Sequence, residues 1–230
     1  MVAERMAEKT QCVIFDCEGT LVDSESLCCQ ALVDVFAQYG CTVSLTDSLK
    51  HFQGGKPVDV LQEACNRYHL NVSLDELEPL YRERKHMLYE AQLKVMPGVR
   101  SLLDDLKKAD IAVCIAGNSE KDRIEHALEL TGLSSYFKHS VFSAFETNTW
   151  KPDPDLLRYA ALNMGLSAQD CIYVDDTLKG VHAGITAGMR TYYFRPNESE
   201  VIIDHPLVAT ISSMSQLIPE ILLPHSETTA

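Results

Sequence analysis

The chain lacks the features that mark a secreted or membrane-embedded protein. No apolar run approaches the ~18 residues needed to span a bilayer. Met1 to Lys9 is polar and charged, without the apolar centre of a secretory signal. Positive charge is scarce: 20 Lys+Arg stand against 33 Asp+Glu, a formal net charge of −13. That balance argues against nucleic acid or an anionic membrane as the main partner. It leaves a small anionic molecule open, because a metal ion and a few lysines can hold one inside an acidic protein. None of the eight cysteines forms a CxxC pair, so neither a zinc site nor a redox motif is spelled out. Several lie in apolar runs, as in Val113-Cys114-Ile115, and are expected to be reduced, mostly buried thiols of a cytoplasmic protein. No internal repeat or low-complexity segment is present.

What is there is the pattern of an α/β domain. Gln11 to Phe15 is a short apolar run that stops at Asp16, as a strand buried on both faces does. Ile111 to Ala116, Cys171 to Val174 and Thr191 to Phe194 repeat it. Helical patterns separate the later runs. One starts after Ser119 as N-cap and ends at Gly132; a second has Pro154 at its first helical position; a third follows Asp176. This alternation predicts a doubly wound, mostly parallel sheet of Rossmann-like type. Gly180, Gly184 and Gly188 recur every four residues and are expected to allow close helix–sheet packing.

Between the first two strands the pattern changes. Ser24 to Tyr39, Val58 to Tyr68 and Leu74 to Leu93 read as helices, and no buried strand appears before Ile111. Residues 24–95 are therefore expected to form a helical cap inserted after the first strand. Residues 10–23 and 96–223 would form the core, with 1–9 and 224–230 as tails. Met96-Pro97-Gly98 marks the return to the core.

Ligands of open α/β sheets bind outside the carboxyl ends of the strands. The run Asp16-Cys17-Glu18-Gly19-Thr20-Leu21-Val22-Asp23 follows the first strand, Gly117-Asn118-Ser119 follows the second, and Asp175-Asp176 follows the third. Lys151 precedes Pro152-Asp153-Pro154. Carboxylates, a helix N-terminus and a lysine thus converge on one crevice. Several acids at one point repel unless a cation sits among them, and a hard divalent ion such as Mg²⁺ suits oxygen ligands. Free N–H groups after Gly117 and the Lys151 ammonium suit an anion. The chemistry pointed to is Mg²⁺-assisted phosphoryl transfer with a carboxylate nucleophile. Thr20 and Asp23 fit either the site or the turn, Asp176 fits either a metal or a helix cap, and the Cys17 thiol is expected to be a bystander.

These motifs, in this order and covering about Thr10 to Leu223, resemble the haloacid dehalogenase-like hydrolase superfamily. The position of the insertion resembles its helical-cap phosphatases, a subgroup that includes phosphoglycolate phosphatases, β-phosphoglucomutases and 6-phosphogluconate phosphatases. The resemblance implies that Asp16 is the nucleophile, forming an aspartyl-phosphate, and that Glu18 is the general acid/base. It implies a metal held by Asp16, the Glu18 carbonyl and Asp175, with Asp176 nearby. Gly117, Asn118 and Lys151 would bind the phosphoryl group. A cap loop, His51-Phe52-Gln53-Gly54-Gly55-Lys56, would reach the leaving group, with Gly55 permitting close approach and Lys56 meeting an anionic group. The substrate implied is a small phosphorylated metabolite, a sugar or sugar-acid phosphate. The expected assembly is a monomer or weak homodimer.

Two positions depart from the family pattern. The second acid is normally Asp and here is Glu18, one methylene longer; about 1 Å of misplacement can cost about 10²-fold in rate. The second motif normally begins with Ser or Thr and here begins with Gly117; one hydrogen bond to a charged group is worth roughly 1.5–3 kcal/mol. A slow phosphatase, a phosphometabolite-binding protein without turnover and a phosphosugar mutase therefore all stay open at this level. A dehalogenase fits poorly, because the Asp175-Asp176 pair implies a metal that dehalogenation does not need.

Overall fold

The computed structural model describes residues 10–52, 57–196 and 203–222. Its centre is a six-stranded parallel sheet. The strands are β1 (Cys12–Phe15), β2 (Ala112–Gly117), β3 (Val141–Ser143), β4 (Cys171–Asp175), β5 (Arg190–Phe194) and β6 (Val208–Ile211). Their spatial order is β3-β2-β1-β4-β5-β6. All four expected strands are present. Strands β3 and β6 are additions, and both lie at the sheet edges, where a short strand carries little hydrophobic pattern.

Alternation along β1 sends its side chains to opposite faces. Val13 and Phe15 join a cluster with Leu102, Leu103 and Leu106 of α5 (Val99–Lys108), Ile124 and Leu128 of α6 (Lys121–Leu130), and Leu217 and Ile221 of α10 (Leu217–Leu222). Cys12 and Ile14 face Leu156, Leu157 and Ala160 of α8 (Asp155–Asn163) and Ala183 of α9 (Leu178–Ala187). A short helix, α7 (Ala144–Thr147), follows β3. The sheet is thus covered on both sides, which is why its strands read as continuous apolar runs.

Between β1 and α5 lie four further helices: α1 (Glu25–Gln38), α2 (Leu45–His51), α3 (Pro57–Tyr68) and α4 (Leu74–Gln92). They bury their own cluster, including Leu32, Phe36, Leu61, Leu77 and Tyr81. The two connections to the core run side by side. Asp23 N donates to Lys94 O and Met96 N donates to Leu21 O, both at 2.9 Å.

Several local expectations are corrected. Glu120, not Ser119, is the N-cap of α6. Pro154 is the N-cap of α8 rather than its first helical residue. Thr177, not Asp176, caps α9, its hydroxyl accepting from Gly180 N. Helices α2 and α5 were not among the expected elements. His51 accordingly ends α2, where its Nδ1 meets Asp47 O at 2.8 Å, rather than opening a loop. Gly180 and Gly184 do sit against the sheet: a Cβ on them would stand 1.9 Å from Asp175 Oδ2 and 2.1 Å from Thr191 Oγ1. Gly188 has another reason. It is the left-handed residue, φ +77°, that ends α9. None of the eight cysteines is disulfide-bonded, and Cys17 is buried in the core. No helix among the described residues is long and apolar enough to cross a membrane.

Candidate active site

The chain passes from β1 to β2 on one side of the sheet and later returns to β4 on the other side of β1. The crevice between β1 and β4 is therefore the switch point of the fold, where ligands of such sheets bind. Asp16 leaves the end of β1 and Asp175 ends β4, so backbone pairing alone sets these carboxylates side by side.

Asp16, Asp175, Asp176 and Lys151 are all buried. The Lys151 ammonium donates to Asp16 Oδ1 at 2.6 Å, to Asp175 Oδ2 at 2.8 Å and to the Tyr173 hydroxyl at 3.0 Å. Tyr173 OH also donates to Asp175 Oδ2. The second Asp175 oxygen accepts from Thr177 N and Thr177 Oγ1, both at 2.7 Å. Thr20 Oγ1 donates to Asp176 Oδ1 at 2.7 Å. Thr20 is thus part of the cluster, while Asp23 is exposed in the connection. Gly19 is needed here: its φ is +83°, and a Cβ would come 2.3 Å from Asp176 Oδ2.

One oxygen from each of Asp16, Asp175 and Asp176 lies within 4.8 Å of the others. Burial pushes the Asp16 carboxyl above its usual range; the Lys151 ammonium opposes this and the Asp175 charge adds to it. Burial and the charges of Asp175 and Asp16 push Asp176 up as well. Burial disfavours the Lys151 charge, but Asp16 and Asp175 outweigh it and hold its pKa above the ordinary lysine value. One ammonium among three carboxylates leaves an excess of negative charge in a buried place. An all-oxygen donor set of this kind fits a hard divalent cation.

Glu18 belongs to a different arrangement. Its Oε1 accepts from Lys85 Nζ at 2.6 Å and from Tyr89 OH at 2.7 Å, both on α4, and its Oε2 accepts from Ser119 Oγ. Burial works against the charge, but Lys85 with these hydrogen bonds wins and holds the Glu18 carboxyl down at about 2. The extra methylene of Glu thus carries the carboxylate to the helical insertion.

Gly117 ends β2 beside Asp16. A Cβ there would stand 2.8 Å from Ile124 Cδ1 and 3.8 Å from Asp16 Oδ1, so a neighbouring side chain rather than backbone strain disfavours a larger residue. Asn118 Oδ1 accepts from Lys151 N at 3.0 Å, which fixes the lysine's approach. Gly55 and Lys56 lie outside the described residues. A cavity of about 90 Å³ joins Asp16, Lys151 and Asn118 to Cys28, Phe52 and Tyr81 of the insertion.

Sequence reasoning missed Lys85, Tyr89, Tyr173 and Thr177. Tyr173 was readable in principle, since it stands two residues before Asp175 on the same face of a strand. Lys85 and Tyr89 lie 67 and 71 residues beyond Glu18, and no motif connects them.

A buried carboxylate cluster with a lysine at the switch point of a parallel sheet, under a helical insertion, defines a class. The haloacid dehalogenase-like hydrolase family signature matches residues 13–194, and the chain belongs to that family. It is 32% identical to the 6-phosphogluconate phosphatase of Escherichia coli over 213 residues, covering 93% of this chain and 95% of the relative. It is 26% identical over 208 residues to a phosphorylated carbohydrates phosphatase of Thermotoga maritima, covering 87% and 94% respectively. Among solved structures, a conserved haloacid dehalogenase-like protein of Agrobacterium tumefaciens superposes with a TM-score of 0.76 at 27% identity, over 92% of this chain and 97% of that one.

Proposed function

We propose that the protein is a Mg²⁺-dependent phosphatase acting on a small phosphorylated sugar or sugar acid. The observation that carries this reading is the buried Asp16–Lys151–Asp175–Asp176 cluster at the switch point. The names of the two phosphatase relatives support the substrate class.

Asp16 attacks phosphorus and forms an aspartyl-phosphate, releasing the sugar hydroxyl; water then attacks the phosphoryl group and restores the carboxylate. Lys151 and the N–H groups around Gly117 and Asn118 hold the phosphoryl oxygens. Asp16, the Glu18 carbonyl, Asp175 and Asp176 would hold Mg²⁺, whose charge neutralises the phosphoryl group when bound. Thr177 and Tyr173 orient Asp175, and Thr20 orients Asp176. Glu18 protonates the leaving oxygen and then takes the proton of the attacking water. With its pKa held at about 2 beside Lys85 and Tyr89, Glu18 is ionised there; to act as the acid it has to leave them, turn to the phosphoryl site and first take up a proton from solvent.

Residues 24–95 form a cap that admits substrate by moving about the paired connections at Asp23–Lys94 and Leu21–Met96. The small volume between Asp16 and the insertion fits this reading, because a sugar phosphate requires α4 to shift before it can enter. Phosphate release from a panel of sugar phosphates and sugar-acid phosphates, with Mg²⁺ and with excess EDTA, tests the proposal. Release from at least one ester, abolished by EDTA, is expected. Undiminished release in EDTA overturns the metal assignment, and binding of phosphate esters without release from any overturns the enzyme.

A further inference from the structure

We propose that His86, Glu90 and His126 form a second metal site, of the zinc class, that ties α4 of the insertion to α6 of the core. His86 and Glu90 are four residues apart on α4 and so share one helix face. His126 comes from α6, across the boundary between insertion and core. A nitrogen from each imidazole and an oxygen of Glu90 all lie within 4.8 Å of one another.

The distances suit a small ion. Glu90 Oε1 stands 2.7 Å from His126 Nε2 and 3.9 Å from His86 Nε2. In a tetrahedral site with bonds of about 2.0–2.1 Å, neighbouring ligands are about 3.3 Å apart, which falls between the two. The rings lie with centroids 5.3 Å apart and planes 34° from parallel. His126 Nε2 is shielded from solvent and close to Glu90, yet the pair makes no hydrogen bond of ordinary alignment. That is the geometry of two ligand atoms aimed at a third point rather than at each other.

Nearby cations do not compete for Glu90. Lys85 is held by Glu18, Arg82 by Glu78 and Glu120, and Arg123 by Glu120. Two imidazoles and one carboxylate select Zn²⁺ and its neighbours over Mg²⁺, which prefers oxygen alone. This separates the site chemically from the carboxylate cluster. A cavity of about 410 Å³ lined by His86, His126, Lys85, Tyr89 and Glu18 lies alongside and leaves room for a water as fourth ligand. His86 is the most exposed of the three, with 58% of its side chain accessible, and is free to complete the site.

The consequence follows from the helix. Lys85 and Tyr89, which hold Glu18, stand on α4 next to His86 and Glu90. A metal bridging α4 to α6 therefore keeps the Glu18 contacts made and restrains the insertion.

The test uses the full chain, freed of metal by a chelator and then held in excess Mg²⁺ so that the carboxylate cluster is occupied. Zn²⁺ is titrated by calorimetry into the parent, His86→Ala and His126→Ala, and hydrogen exchange of α4 and α6 is followed with and without Zn²⁺. The parent is expected to bind one Zn²⁺ at this site, and each variant to bind it about tenfold or more weakly. Zn²⁺ is expected to slow exchange in α4 of the parent alone. Equal binding by parent and variants, or no binding by the parent, overturns the site. Binding that depends on the histidines but leaves α4 exchange unchanged overturns the tie. If His126→Ala does not fold, His86→Ala carries the comparison, because its side chain is largely exposed. None of these outcomes depends on phosphatase activity.

Discussion

Asp16 and Glu18 are two residues apart and belong to two differently built regions. The Asp16 cluster draws its charged groups from the core: β1, the end of β4 and the segment around Lys151. Its geometry is set by backbone pairing in a sheet covered on both faces. The Glu18 cluster is completed from outside the core, by Lys85 and Tyr89 on α4. The first region is pre-organised whatever the insertion does. The second exists only while α4 sits over the crevice. The proposed nucleophile and the carboxylate cluster are thus set by the sheet, whereas the contacts of Glu18 depend on where α4 lies.

The largest effect should come from Asp16→Asn, which keeps the side-chain shape and removes both nucleophile and charge. Phosphate release should fall by about 10³-fold or more, while hydrogen exchange in α4 stays as in the parent. A parallel change in α4 would break the separation of the two regions. Glu18→Asp comes next. The shorter side chain withdraws the carboxylate from Lys85 and Tyr89 and places it where the family carries its second acid. We expect kcat to rise about 10- to 100-fold, on the scale of a relieved misplacement, with Mg²⁺ affinity unchanged. An unchanged kcat in steady-state assays would show that Glu18 is no handicap.

A smaller effect concerns pH. The folded Glu18 carboxyl titrates at about 2 rather than its ordinary 4.5. A lowered carboxylate pKa adds stability above the ordinary value and loses it as pH falls toward the lowered one. Lys85→Met should therefore reduce stability at neutral pH and make the loss between pH 4.5 and about 2 shallower than in the parent. Urea unfolding at several pH values reads this directly, and parallel curves for parent and variant would contradict it.

How much of this was legible in the sequence follows the same division. Asp16 and Asp175 stand out because each follows the apolar run of a buried parallel strand, and Lys151 because it precedes Pro152-Asp153-Pro154. Edge strand β3 has three residues and β6 is largely exposed, so neither produced a run. Helix α2 is seven residues long and starts from the Ser44 cap, too short for a clear period, whereas α5 is readable from Val99, Leu102, Leu103 and Leu106. Thr20 was ambiguous because a turn and a metal cluster favour the same hydroxyl. The partners of Glu18 had no local signature at all, since the contact arises from how α4 packs over the crevice.

On the proposed mechanism the core forms the phosphoryl-enzyme by itself, while Glu18 governs its release. Rapid-quench kinetics on an aryl phosphate, whose leaving group needs no protonation, test it most directly in the parent and Glu18→Ala. Asp16 is expected to become phosphorylated in both, with release of free phosphate slowed about 10²-fold in Glu18→Ala. Absence of phosphoryl-enzyme from both proteins, or equal release by both, would contradict it.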